Sequence, residues 1–201
     1  MPGAHEHIEH AEHTEHAAHS NKNVALLIAV IALFLAFSET LGKSAQTAAL
    51  NYQIEASNLW NFFQAKNIRR TVTIVASEHA KLEALAANDP AQKDALAKQI
   101  DTWTKTADRY RSEPEAGGGK GEGTVELSRR ALEEQEKRDT ALARYHHYEI
   151  ASAAFQIGIV LCSAAVITGM IALAFIAGGL AVVGLGFTAI GLFAPHAVHL
   201  F

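Results

Sequence analysis

The sequence predicts an all-α membrane protein, with three transmembrane helices and a long helical-hairpin or coiled-coil soluble domain between the first and the second. Three observations lead there. From Ile150 to Ala194, 45 positions pass without one Asp, Glu, Lys or Arg. A bilayer core about 30 Å thick takes roughly 20 apolar residues per helical span, so this stretch suits two spans joined by a tight turn. A second apolar run, Val24 to Leu41, is 18 residues long. Between the two, residues 42–149 are charged and repeat their apolar positions at the four-three spacing of packed helices.

The closing stretch is read as a helical hairpin, because lipid offers backbone N–H and C=O groups no partner outside their own segment. Its arms are placed at Ile150–Ile176 and Leu180–Ala194, with the turn at Gly178-Gly179. The second arm is short and is completed by the weakly polar tail, residues 195–201. A buried hairpin in a soluble core is the alternative, and a chain of 201 residues has too little left to cover it. Gly158, Cys162, Ala165 and Gly169 form one ridge of small residues, and Gly184 with Thr188 another. Small residues at this spacing let helices approach closely, within the hairpin or between subunits.

The chain opens with residues 1–23, a flexible tail in which Glu-His recurs every three residues. Imidazole with carboxylate is the donor set of zinc, nickel or copper, which makes His5, His7, His10, His13, His16 and His19 candidate metal ligands. A repeat of three lags the helical period of 3.6, so the ligands spiral instead of forming one cage, and a solvated, pH-sensitive tail is the competing reading. The tail has no basic n-region, and no small-residue cleavage motif follows the apolar run, unlike a secretory signal. The span that follows, 24–41, ends in Ser38, Glu39 and Thr40. The single cysteine, Cys162, allows no intrachain disulfide and no cysteine zinc cluster. A net charge of −4 offers no general basic face, so nucleic acid is not expected as a partner.

Within 42–149 three helices are expected, over 44–87, 90–112 and 124–149. In the first, Ile68, Val72, Val75, His79, Leu82 and Ala86 are spaced as a coiled-coil seam. Asp89 before Pro90 is a cap followed by a first-turn proline. The second helix carries Leu96, Ile100, Trp103, Ala107 and Tyr110 at the same spacing, and the third Leu127, Ala131, Ala141, Tyr145 and Tyr148. Between them, 112–123 reads SEPEAGGGKGEG, a flexible break. At 1.5 Å per residue the first helix spans about 66 Å and the other two about 34 and 39 Å, so one outgoing helix with a broken returning limb is self-consistent. Gly119-Lys120 suggests a phosphate loop but fails the pattern: Gly121 stands in place of Ser or Thr, Pro114 in place of the first Gly, and no strand precedes. With no nucleophile elbow, HExxH or dinucleotide fingerprint either, catalysis is not expected.

Only Lys22 of the 17 basic residues precedes the first span and none follows the last, which by the positive-inside rule places the middle domain in the cytoplasm. That topology brings Glu39, His146 and His147 to one membrane face. They are a candidate proton-sensitive or metal site, or else polar residues wetting the headgroup layer.

The EHxEHxEHxEH tail, the run SETLGKSAQTAALNYQIEASNLWNFFQAKNIRRT from Ser38 to Thr71 and the closing hairpin resemble an uncharacterised bacterial membrane-protein family, domain of unknown function 4337. The resemblance covers essentially the whole chain, with 54–71 its most specific part. It implies bacterial origin and an inner-membrane location, and it supplies no activity. In that segment Asn58, Trp60, Asn61, Gln64, Lys66 and Arg69 are a candidate partner-binding surface, or a core with its solvated face. Two classes of function stand: a homo-oligomeric coiled-coil scaffold anchored in the bilayer and presenting its helices to a protein partner, or a small oligomeric transporter, channel or metal-handling protein.

Overall fold

The computed structural model describes the backbone of residues 4–198 and the side chains of residues 22–198. The secondary structure is helical throughout: α1 (Ala4–Ala86), α2 (Pro90–Arg111), α3 (Ala116–Gly119), α4 (Thr124–Thr168) and α5 (Ile171–Phe193), with no strand among the described residues. Three of these, α1, α4 and α5, are long and apolar enough to cross a membrane. The chain divides into two compact units, one made of Met1–Ala49 with Asp139–Phe201, the other of Leu50–Arg138.

The segments expected at 24–41 and 44–87 are one helix, and α4 likewise carries the third expected helix into the span after it. Gly42 does not interrupt α1, since a glycine inside a helix costs only about 1 kcal/mol and the flanking pattern outweighs it. The start of α2 is as the sequence reads: Asp89 accepts a hydrogen bond from the Ala91 N–H at 3.0 Å, and Pro90 stands at the first helical position.

In the first unit α1, α4 and α5 pack around one apolar core. Val24 and Ile31 come from α1, Phe155 and Cys162 from α4, and Ala174 and Ala177 from α5. The turn between α4 and α5 is at Gly169-Met170 and not at Gly178-Gly179, which lie inside α5. Gly169 has φ +71°, the left-handed conformation that ends a helix and favours glycine, whereas Gly178 and Gly179 keep helical geometry. The corrected arms are Ile150–Thr168 and Ile171–Phe193; each is close to the roughly 20 residues of one span, where the expected division was uneven.

In the second unit Leu59, Leu127 and Ala131 form the core, flanked by Trp60 and Phe63. The α2 stripe faces inward as expected, with Ala107 buried and Leu96, Ile100, Trp103 and Tyr110 half-buried. The α1 seam does not. Its inward face is Ala56, Leu59, Phe63, Lys66, Arg70, Thr73, Ser77, Ala80 and Ala84, a regular alternation of three and four. The expected seam lies on the opposite side, with Ile68 and Val72 63% exposed, Val75 62% and Leu82 67%. The inward face of α1 is mostly small beyond Lys66, and α2 supplies the large side chains on its side. Hydropathy alone selects the other stripe.

The glycine-rich segment is a built turn and not a free linker. Gly117, Gly118 and Gly119 take φ of 62°, 67° and 80°, one left-handed turn open only to glycine at this length. It is closed by Gly121 N–H to Ala116 O at 3.0 Å and Glu122 N–H to Glu113 O at 3.2 Å.

Candidate functional site

Two groups of polar residues are organised by this framework, one in each unit. In the first unit His147 is fully buried on α4. Its Nε2 lies 3.0 Å from the carbonyl of Pro195. A carbonyl only accepts, so Nε2 carries the proton, and Nδ1 is left without a partner. The ring lies 6.1 Å from that of Phe187, and Gly191 leaves the space that His147 and Tyr148 occupy. Nearby, Ser38 donates to the Tyr148 carbonyl at 3.1 Å and is itself buried.

Glu39, His146 and His147 have different surroundings. The Glu39 carboxylate is exposed and accepts from Gln156 Nε2 at 3.2 Å. His146 Nδ1 lies 3.6 Å from Glu149 one turn away on its own helix. His147 turns into the packing against the chain after α5. Adjacent residues on a helix point about 100° apart, so His147 is buried while His146 stays half-buried. No cluster of three His, Cys, Asp or Glu suited to a metal occurs among the described residues. The tail ligands His5, His7, His10, His13, His16 and His19 have side chains outside the described residues.

The small-residue ridges, Gly169 apart, are buried within the chain. Gly158, Cys162 and Ala165 are buried, as are Gly184 and Thr188, whose hydroxyl donates to the Gly184 carbonyl at 2.9 Å. A methyl group on Gly184 would stand 2.7 Å from the Phe155 ring. Gly169 is exposed at the turn and leaves the ridge. The sequence reading missed Ala174, Ala177 and Gly191, which continue the α5 ridge at three-, four- and seven-residue steps and were legible by the same rule. An apolar groove of about 420 Å³, lined by Asn23, Val24, Leu27, Ile171, Ala174 and Phe175, has the chemistry of a hydrocarbon contact.

In the second unit Lys66 leaves the proposed partner surface. It is buried, 3.3 Å from a Glu113 oxygen and 3.9 Å from Glu122, with the rings of Phe62 and Tyr110 within 5.6 and 5.5 Å. Thus one lysine of α1 holds both sides of the glycine turn. Glu126 holds it from α4, accepting from Ser112 Oγ at 2.5 Å and from the Glu113 N–H at 3.3 Å. Burial acts to raise the Glu126 pKa, but these hydrogen bonds, together with its own and the Gly123 N–H, outweigh it and lower the carboxyl below the usual glutamate value. Neither clamp is signalled by the sequence, because both join residues far apart in the chain. Trp60 is half-buried against Phe63, 5.4 Å between ring centroids, while Asn58, Asn61, Gln64 and Arg69 are exposed. A polar pocket of about 340 Å³ is lined by Lys120, Arg129 and Arg130 and by Glu55, Glu133 and Glu134.

What these features define is a helical protein with three helices fit to cross a membrane. The chain belongs to the family described as Domain of unknown function (DUF4337), whose sequence model matches residues 20–194. Nothing matches among the curated proteins, and nothing among the solved structures.

Proposed function

We propose that this protein is a non-catalytic membrane scaffold: a three-span anchor in the bacterial inner membrane that carries the helices of residues 42–149 on the cytoplasmic side and assembles with copies of itself. Two observations carry the reading: the closed interior of the first unit, and the apolar stripe of α1 left uncovered in the second. Where α1, α4 and α5 pack, the interior is filled by alanine, glycine, Ile31, Phe155 and Cys162, and the buried polar side chains Ser38, His147 and Thr188 each bond to a backbone carbonyl. Such a core anchors; it leaves no row of polar groups along which an ion could be handed on. Large apolar residues are exposed in both units, but those of the first lie on helices that the bilayer would cover, whereas Ile68, Val72, Val75 and Leu82 of α1 lie outside the apolar run of 24–41. An exposed apolar stripe of this kind is characteristic of an interaction surface.

The test is the mass of the detergent-solubilised protein, with and without its first 20 residues and with zinc present or removed. A fixed oligomer indifferent to tail and zinc supports the scaffold. An assembly that forms with zinc only when the tail is present overturns it in favour of metal handling.

A further inference from the structure

The exposed α1 stripe has more structure than an apolar patch. Ile54, Asn58, Asn61, Ala65, Ile68, Val72, Val75, His79, Leu82 and Ala86 alternate by four and three through the second unit, on the side of α1 opposite its inward face. One helix therefore carries two heptad faces, and only one is covered within the chain. We propose that the second face is where two copies of this chain meet, α1 against α1, parallel and in register. This rests on the scaffold reading and names its contact surface.

Three features favour a second copy over another occupant. The first is the repeat itself: a 3.5-residue period keeps a seam in contact only with a helix of the same period, and an identical copy supplies one. The second is the polar layer. Parallel, in-register pairing sets Asn58 opposite Asn58 and Asn61 opposite Asn61 of the other copy, where side-chain amides donate and accept reciprocally, and it sets Val72 and Val75 opposite themselves. An antiparallel pair centred on the apolar part would leave both asparagines without a matching partner. The third is size. From 54 to 86 the face is about 48 Å long, and at the roughly 10 Å width of a helix it covers about 500 Å² on each copy, or about 1,000 Å² in all, the level of a specific interface. Glu78, beside the seam, is engaged by Lys81 at 2.7 Å along the helix, which offsets its repulsion across the pair.

The full-length protein in detergent decides the matter through two sets of variants. Val75→Cys, on the seam, is expected to form an intermolecular disulfide under mild oxidation, while Asn67→Cys, exposed but off the seam, is not; the native Cys162 is buried and stays out of the reaction. Val72→Lys with Val75→Lys is expected to weaken association about 100-fold, roughly tenfold for each desolvated anchor. Both positions are exposed in the single chain, so the fold should survive, and an unchanged far-ultraviolet circular dichroism spectrum checks this. A wild-type oligomer that keeps its mass in the double-lysine variant, with no preference of the disulfide for Val75→Cys, overturns this face and leaves the scaffold standing. A wild-type protein of one-chain mass overturns self-assembly, and this face with it.

Discussion

Replacing Gly184 by alanine tests how the three-helix core is held together. A Cβ there would lie 2.7, 2.8 and 3.0 Å from three carbons of the Phe155 ring, which is fully buried and stacked on Phe34 at 6.3 Å. A retreat of the ring disturbs its stacking on Phe34. Overpacking of this sort costs about 1–3 kcal/mol, and the helical preference of alanine over glycine returns up to about 1. The expected net loss is therefore about 1 kcal/mol, or about 2–4 °C in midpoint for a chain of this size. Gly186→Ala is the control, because nothing lies within 4 Å of a Cβ there, and it should be neutral or slightly stabilising. Cys162 is a built-in reporter: buried and the single thiol, it reacts with a fluorogenic maleimide only as the core opens on heating. Phe155→Leu made together with Gly184→Ala should lose less than the sum of the two, by roughly 1 kcal/mol, since the smaller side chain makes room. Equal midpoints for Gly184→Ala and Gly186→Ala, or strict additivity with Phe155→Leu, would refute the packing argument.

Gly169→Ala should lower the same midpoint, at a cost of about 1–2 kcal/mol for a non-glycine residue in the left-handed conformation, whereas Gly178→Ala should not; the reverse order would return the turn to Gly178-Gly179. Lys66→Met removes the cation between Glu113 and Glu122, and a loss of about 1–3 kcal/mol is expected, discounted because both acids are partly exposed. Limited proteolysis within 112–123 should then become faster, and an unchanged cleavage rate would show that Lys66 does not hold the turn. The lowered Glu126 pKa sets the sign of an acid effect: its contribution is present above the ordinary glutamate pKa and is lost as pH falls through the lowered folded value. Cleavage in 112–123 should accordingly accelerate on acidification, and Glu126→Gln should cleave faster at neutral pH with a flatter dependence. Parallel pH profiles for the two proteins would rule this out.

The helical class, the three apolar helices, the Asp89-Pro90 start of α2 and the inward stripe of α2 were legible in the sequence, since each depends on period, length or a local cap. The spacing of Gly158, Cys162, Ala165, Gly184 and Thr188, all of them buried, was legible for the same reason. Tertiary structure alone decided which glycine turns the chain, because Gly169 and Gly178 differ in φ and not in residue type. It alone separated His146 from His147, turned Lys66 from a surface residue into a clamp, and drew Glu126 to Ser112. It also chose between two heptad faces of α1 that the sequence writes with equal regularity. Hydropathy ranks those faces by what they would gain from burial, but a helix is covered on the side where a partner of complementary size returns. For α1 that side is the one with small residues, and the more apolar side stays exposed.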